Sequence, residues 1–342
     1  MTHATDSAGP WALAWRRFKQ DRVALVSLCI TAFFLLVMFA SYAGLLARNW
    51  SAEVAPSYTA PTLQKVTPLA NTHEQVGLPQ TFTDPPVDIS DIDPLTPHYQ
   101  EWQQLTAQVA KAQAAQATHL FFGADKWGRD VLAKVIKGSE VSMTVGIVAA
   151  LLSVMIGAVL GALAGYFGGV IDACMEWLYN VLTSLPSILL ILAVAAVFSR
   201  GFMTIILILG LTGWTGVYRL LRAEYLQHRE RTYVRAAEAL GASHASRMFR
   251  HILPNVSHVL LVQFSMNVVG FIKAEVILSF LGLGVPVDMV SWGTMLAETQ
   301  EELVIGKWWQ LLAAGGSMAI LVTAISLFAD AVRDALDPKL NE

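Results

Sequence analysis

Charged residues are scarce in this chain. They make up 14% of its 342 residues, while 55% are hydrophobic. Soluble domains carry about a quarter charged residues, so this chain has too few to cover a globular surface of its size. The formal net charge of −3 gives no electrostatic basis for binding nucleic acid. The composition therefore predicts a protein of the lipid bilayer.

The chain also lacks the patterns of common catalytic and metal sites. Its two cysteines, Cys29 and Cys174, lie in apolar runs and are too few for a disulfide framework or a metal site. Neither the phosphate-binding loop G-x-x-x-x-G-K-S/T nor the hydrolase elbow G-x-S-x-G occurs. Four histidines without the spacing of metal ligands lie in one segment: His228, His244, His251 and His258. We expect a chain that is not an enzyme and binds no cofactor or metal itself.

Long apolar runs are present instead. A helix rises 1.5 Å per residue, so roughly 20 residues cross the hydrocarbon core. Six such runs occur, at 23–47, 141–171, 177–199, 201–218, 259–284 and 311–329. The first is longer than the apolar region of a cleaved signal peptide, which has about 7–15 residues. The runs predict an all-α membrane protein with six transmembrane helices, the first formed by residues 23–47.

The distribution of Lys and Arg predicts the orientation. Basic residues precede the first span: Arg16, Arg17, Lys19 and Arg22. More lie between the fourth and fifth spans: Arg219, Arg222, Arg229, Arg231, Arg235, Arg247 and Arg250. Positive residues favour the cytoplasmic side. We therefore predict a cytoplasmic segment 1–22, an outside loop 48–139, a core of spans two to six at 140–331 and a cytoplasmic tail 332–342.

The outside loop has two parts of different composition. Up to about residue 97 it is rich in proline, which removes backbone donors and predicts irregular structure. Residues 98–118 are mostly strong helix formers and predict one polar helix. Two interpretations stay open for this loop, a solvated decoration and a docking surface for a partner outside the membrane.

Four glycines in the second apolar run recur at a spacing of four: Gly157, Gly161, Gly165 and Gly169. On a helix they form one stripe, where another backbone can approach closely. The stripe predicts either tight packing within this subunit or packing against a second subunit.

The segment 223–258, between spans four and five, predicts a basic, amphipathic helix–turn–helix. Leu226, Tyr233, Ala237 and Leu240 recur at near-helical spacing and predict a first helix with one partly apolar side. Gly241 is placed to end it in a left-handed conformation.

A second short helix follows in the same segment. Ser243 is placed to cap it, and Met248, Phe249 and Ile252 would form its apolar face. Two interpretations of the whole segment are open, a helix lying on anionic lipid and a contact for a cytoplasmic partner.

This segment resembles the EAA loop of permeases in binding-protein-dependent ABC importers. The resemblance rests on Arg235-Ala236-Ala237, then Gly241, then Leu253-Pro254. Arg235 stands where the family name implies glutamate. The resemblance implies that the following residues couple the chain to an ATPase: Arg235, Ala236, Ala237, Gly241, Met248, Leu253 and Pro254.

Further stretches resemble the dipeptide, oligopeptide and nickel branch of these importers, in particular the C-type permease of its permease pair. They are Gly123-Ala124-Asp125 with Gly128-Arg129-Asp130, residues 278–284 (LSFLGLG), Ser291-Trp292-Gly293, residues 333–338 and residues 15–18. The resemblance covers roughly residues 11–47 and 119–340 and says nothing about the long loop between them.

The resemblance implies a complete assembly. It implies the six-helix type I ABC importer fold in a bacterial inner membrane, with both termini cytoplasmic and a long periplasmic loop after the first helix. A second, different permease, two ATP-binding subunits and a periplasmic binding protein would be partners, and the ATPases would hold ATP and Mg. The cargo would be di- or oligopeptides, with nickel or another small solute as the alternative.

Two charged residues inside the fifth run, Lys273 and Glu275, are candidate functional groups because charges in spans are expensive. Two positions apart, they point to different sides of a helix. Glu275 would line the peptide pathway or form hydrogen bonds at a subunit interface, and Lys273 would line the pathway, snorkel or pair with a partner subunit. An ion-coupled secondary transporter could use Glu275 as a proton site, but inverted repeats or paired broken helices, usual in such transporters, are not evident.

Overall fold

The computed structural model describes residues 18–62, 101–102, 120–286 and 288–336. The predicted helix at 98–118 therefore lies almost wholly outside the described residues, as do residues 63–97 of the proline-rich part of the loop, residues 15–17 and the end of the tail. The chain divides into two compact units, one of residues 1–48 with 134–342 and one of residues 49–133.

The described secondary structure is helical, with two isolated β-bridges. The helices are α1 (Arg22–Tyr42), α2 (Val131–Phe167), α3 (Gly169–Thr183), α4 (Ser187–Val197), α5 (Phe202–Thr212), α6 (Thr215–His228), α7 (Thr232–Ala239), a π-helix (Ser246–Ile252), α8 (Leu253–Phe280), α9 (Trp292–Val304) and α10 (Trp309–Leu336).

Five helical stretches are long and apolar enough to cross a membrane. The pair α3 and α4 passes the same test together but is bent by 81° between its halves, and it gives a sixth span if counted as one. Pro186 stands at this bend, where it can donate no backbone hydrogen bond to continue the helix. The predicted all-α fold is confirmed, and the six spans are reached only through a broken helix.

Helix α2 begins at Val131, well before the predicted end of the outside loop at residue 139. Its charged first turns are accommodated by pairing. The Lys134 ammonium lies 2.6 Å from the Glu298 carboxylate of α9, and Lys137 lies 2.7 Å from Glu140. Apolar runs mark the lipid-crossing part of a helix, whereas backbone hydrogen bonding continues beyond it.

The glycine stripe of α2 packs against α6 of the same chain. A β-carbon on Gly157 would lie 2.6 Å from Val217 Cβ, and one on Gly161 would lie 2.8 Å from the Tyr218 carbonyl oxygen. Gly165 faces α6 in the same way, but Gly169 lies beyond the end of α2, and a β-carbon there would have no neighbouring atom within 4 Å. Of the two open interpretations, packing within the subunit is therefore confirmed for Gly157, Gly161 and Gly165, and packing against a second permease does not explain these three.

The smaller unit contains the Gly123–Asp130 motif as a tight loop. The Asp125 carboxylate accepts hydrogen bonds from the backbone N–H groups of Trp127 and Arg129, both at 2.8 Å. Gly128 has φ +76° and lies directly against the Ala55 carbonyl, where no side chain fits. The motif is thus explained by the loop that it forms.

Helix α9 was not predicted from the sequence. Its first residue follows Ser291, whose hydroxyl accepts from the Thr294 N–H at 3.2 Å while the Thr294 hydroxyl accepts from the Ser291 N–H at 2.9 Å. The Ser291 and Thr294 side chains of this capping box could have indicated the start of a helix in the sequence. With 13 residues, α9 is too short to span a bilayer.

Candidate coupling loop and intramembrane cavity

The loop between α6 and α8 is fixed by a buried apolar cluster. The cluster comprises Ala162, Tyr166, Leu221, Tyr225, Val234, Met248, Ile252 and Val256. These residues come from α2, α6, α7, the π-helix and α8, so the loop is held by the ends of three membrane-spanning helices. The Tyr225 hydroxyl also donates to the Met248 carbonyl oxygen at 3.1 Å. Movement of the loop would therefore be transmitted to those helices through packed side chains.

The turn at Gly241 ends α7 as predicted. Gly241 has φ +83°, and a β-carbon added to it would have no neighbouring atom within 4 Å. Its N–H donates to the Glu238 carbonyl oxygen at 2.9 Å, and the Ala242 N–H donates to the Ala237 carbonyl oxygen at 3.0 Å. This pair of bonds is the Schellman motif, which requires a left-handed residue after the helix.

The buried side of α7 differs from the predicted one. Val234 and Ala237 are buried, whereas Leu240 is 89% exposed. Tyr233 is not part of the cluster, and its hydroxyl lies 2.8 Å from His228 Nδ1. The reason is that α7 has only eight residues, so a single strip of it faces the cluster. Leu240 and Gly241 therefore form an exposed apolar tip.

The second predicted helix is a π-helix preceded by a helical turn at residues 244–245, and Ser243 caps that turn as predicted. The Ser243 hydroxyl accepts from the Ser246 N–H at 3.2 Å. Met248 and Ile252 are buried, but Phe249 is 53% exposed, so the expected three-residue apolar face is wrong for Phe249. The wider π-helical turn changes the stagger of side chains, which turns Phe249 outward.

Arg247 contacts three residues that lie in different parts of the loop and in α2. Its guanidinium lies 2.5 Å from the Glu238 carboxylate of α7, 3.0 Å from His244 Nδ1 and over the ring of Tyr166 of α2. The side chain is only 9% exposed. The sequence shows Arg247 only as one of several basic residues in this segment. Its structural role could not be predicted, because its partners lie in separate elements.

Arg235 makes an exposed ion pair instead. Its guanidinium donates to the Glu230 carboxylate at 2.6 Å, and this hydrogen bond lowers the pKa of Glu230 below its usual value. The Arg235 side chain is 66% exposed. This exposure leaves it accessible to a partner.

The seven residues predicted to couple to an ATPase thus divide into two groups. Arg235, Ala236, Gly241 and Pro254 are exposed. Ala237 and Met248 are buried, and Leu253 is half-buried against the cluster. The exposed group can touch a partner, whereas the buried group anchors the loop.

Glu275 of α8 lies inside the subunit. It is fully buried, and its carboxylate accepts hydrogen bonds at 2.7 Å from Ser142 of α2 and Ser279 of α8. The Ser142 hydroxyl in turn accepts from the Trp292 N–H of α9 at 3.3 Å. We therefore interpret Glu275 as a link between three helices, in place of the predicted pathway or interface role.

Lys273, two residues earlier, is exposed and lines a cavity of about 600 Å³. The cavity lies at the bend between α3 and α4 and at the junction of α5 with α6. Its walls include Pro186, Ser187, Gly213 and Thr215. The structure thus separates the two intramembrane charges, one in the helix-packing interior and one at an open cavity.

Comparison with known protein families matches two parts of the chain. Residues 157–342 match the family described as "Binding-protein-dependent transport system inner membrane component". Residues 9–63 match "N-terminal TM domain of oligopeptide transport permease C". The first match alone covers more than half of the chain and includes the loop, the cavity and every span from α3 onward.

Three relatives are similar over most of their length. The oligopeptide transport system permease protein OppC of Bacillus subtilis is 33% identical over 246 residues, which are 72% of this chain and 80% of that protein. The dipeptide transport system permease protein DppC of the same organism is 36% identical over 247 residues, 72% and 76% of the two chains. OppC of Escherichia coli K12 is 36% identical over 233 residues, 68% and 76% of the two chains.

Proposed function

Because the chain belongs to the family of binding-protein-dependent transport system inner membrane components, we propose that it is a permease subunit of an ATP-driven peptide importer. The relatives named above are oligopeptide and dipeptide permeases, which supports di- or oligopeptides as the cargo. The observation that carries the proposal is the exposed Gly241 turn, anchored to the ends of three membrane-spanning helices.

The assembly proposed for this chain contains a second, different permease, two ATP-binding subunits and a periplasmic binding protein. The termini and the α6–α8 loop face the cytoplasm, and residues following α1 up to α2 face the periplasm. The arginine-rich segments support this orientation. ATP and Mg belong on the ATP-binding subunits, since the chain has no phosphate-binding loop.

The geometry of the loop supports a mechanical role. Leu240 and Gly241 seat in the ATP-binding subunit, and Ala236 beside them leaves room for a close contact. When the ATP-binding subunits close, force on this tip passes through Val234, Met248 and Ile252 to α6 and α8. Tightly packed interiors transmit strain because they have few voids in which to absorb it. The helices then switch the pathway between its inward-open and outward-open states.

The cavity supports peptides over a metal cation as cargo. It carries the lysine ammonium of Lys273, and its described lining contains no Asp, Glu, His or Cys. Carboxylate, imidazole and thiolate groups are the side-chain ligands that hold most hard and borderline metal ions in proteins. A peptide needs apolar walls with a few polar groups, which this cavity provides.

Reconstitution tests the proposal. The permease is isolated from native membranes with the subunits that co-purify with it, placed in proteoliposomes and supplied with the binding protein. We expect uptake of labelled di- or oligopeptides that requires ATP inside the vesicles. Uptake of nickel without peptide uptake would reassign the cargo, and uptake driven by an ion gradient without ATP-binding subunits would contradict the importer assignment.

A further inference from the structure

Lys273 carries a charge that the described residues of this chain leave unmatched. It belongs to the membrane-spanning stretch that ends at Phe280, and its side chain is exposed. Among the residues that the structure describes, its ammonium has no hydrogen bond, ion pair or ring contact. A lysine within a membrane span is costly because its charge is removed from water. A charge maintained at that cost requires water or a ligand.

The described lining of the cavity carries positive charge and no negative charge. Of the described residues lining the cavity, Lys273 alone is ionisable, and the polar remainder consists of hydroxyl-bearing side chains: Thr183, Ser187, Thr212 and Thr215. Aliphatic side chains form most of the other walls. The first residues of α4 also reach the cavity, and a helix N-terminus adds positive partial charge. The cavity is therefore suited to an anionic group on a partly apolar molecule.

The neighbouring carboxylate does not neutralise Lys273. Glu275 points into the packed interior, where Ser142 and Ser279 donate to both of its oxygens. Its full burial keeps it from the cavity that Lys273 lines. The lysine thus faces the cavity without a counter-ion among the residues that the structure describes.

Resting on the peptide-import function above, we propose that Lys273 binds the carboxylate of the peptide during its passage through this cavity. Every unmodified peptide has a C-terminal carboxylate, whatever its sequence, so this contact would serve a permease that carries peptides of differing composition. An ammonium pairs with a carboxylate as a compact point charge, and the aliphatic walls accept side chains of the cargo without selecting one. Release follows when conformational switching admits more water around the bound carboxylate, which weakens the ion pair.

Uptake by the reconstituted assembly tests this role. Lys273→Gln removes the charge, Lys273→Arg keeps it, and Lys307→Gln removes a lysine outside the cavity. Each is measured with a peptide and with the same peptide amidated at its C-terminus, both with saturating binding protein. Hydrogen bonds to charged groups contribute about 1.5–3 kcal/mol, so we expect Lys273→Gln to slow uptake of the free acid about tenfold or more. The ratio of variant to wild-type uptake should stay near one for the amide, and Lys273→Arg and Lys307→Gln should transport both peptides.

A labelling experiment separates a pathway residue from an interface residue. In a chain with Cys29 and Cys174 replaced by alanine, Lys273→Cys is treated with a charged methanethiosulfonate in the full assembly. We expect the reagent to modify the introduced cysteine, and we expect transported peptide to slow this modification. If Lys273→Gln lowered the uptake of both peptides equally, the proposal would be overturned. It would also be overturned if the second permease shielded the cysteine of Lys273→Cys from the reagent. Absence of ATP-dependent peptide uptake by the wild type would instead contradict the function on which the proposal rests.

Discussion

The Arg247 guanidinium and the Glu238 carboxylate meet across the Gly241 turn, with 2.5 Å between Nη1 and Oε1. One belongs to the π-helix and the other to α7, so their pairing closes the loop onto itself. Arg247 also lies over the ring of Tyr166 in α2. The rigidity that we propose for the loop therefore depends on a contact between residues that precede and follow its turn.

Removing this contact should loosen the loop without unfolding the spans. We expect Arg247→Leu to increase protease cleavage between α7 and the π-helix and to reduce retention of the ATP-binding subunits. Hydrogen bonds to charged groups contribute about 1.5–3 kcal/mol, enough to open a short segment. Arg235→Leu is the matched control for protease cleavage only, because solvent-exposed ion pairs contribute little to holding a segment in place. Equal cleavage of the two variants would show that Arg247 does not hold the loop.

Substitutions at Gly241 should separate the backbone requirement from the contact with a partner. Gly241→Val places a β-branched residue at φ +83°, at a cost of about 1–2 kcal/mol. We expect normal abundance in the membrane, weakened association with the ATP-binding subunits and little uptake. Gly241→Asn is the control for conformation, since asparagine tolerates the left-handed region.

The Gly241 test has an informative pair of outcomes. If Gly241→Asn regains uptake, the backbone conformation of the turn is the main requirement. If uptake by Gly241→Asn remains as low as uptake by Gly241→Val, the partner requires the absence of a side chain at this position. Wild-type uptake and subunit retention in Gly241→Val would mean that this loop is not the coupling element.

Filling the glycine stripe should destabilise the subunit itself. A β-carbon at Gly161 would lie 2.8 Å from the Tyr218 carbonyl oxygen, whereas one at Gly316 would have no neighbouring atom within 4 Å. Overpacking costs about 1–3 kcal/mol, so Gly161→Ala should lower the Tm of the isolated chain in detergent by several degrees. Gly316→Ala should leave it nearly unchanged. If Gly161→Ala affected only assembly with the second permease, the packing of α2 on α6 would not explain the stripe.

Sidedness is tested by cysteine labelling in sealed vesicles. Glu53→Cys precedes α2 and Ala245→Cys lies in the α6–α8 loop, and both positions are exposed. With the native cysteines replaced by alanine, an impermeant thiol reagent should reach the two sites from opposite sides. Labelling of both from one side would contradict the proposed six-span orientation.

The sequence alone determined the all-α membrane class and the left-handed turn at Gly241. Both depend on local chemistry: uninterrupted apolar length allows a helix to cross lipid, and glycine adopts positive φ without steric cost. The cap at Ser243 could also be predicted from the sequence, because it too depends on local chemistry. Composition also excluded a soluble surface, because 14% charged residues are too few to solvate one.

Tertiary structure decided what each of these residues faces. The stripe at Gly157 meets α6, Glu275 is enclosed between α2, α8 and α9, and Lys273 is left at an open cavity. Helical periodicity states that Lys273 and Glu275 point to different sides of α8, but not which side another helix covers. That choice depends on contacts between segments far apart in sequence, whose packing contributes only once the chain has folded.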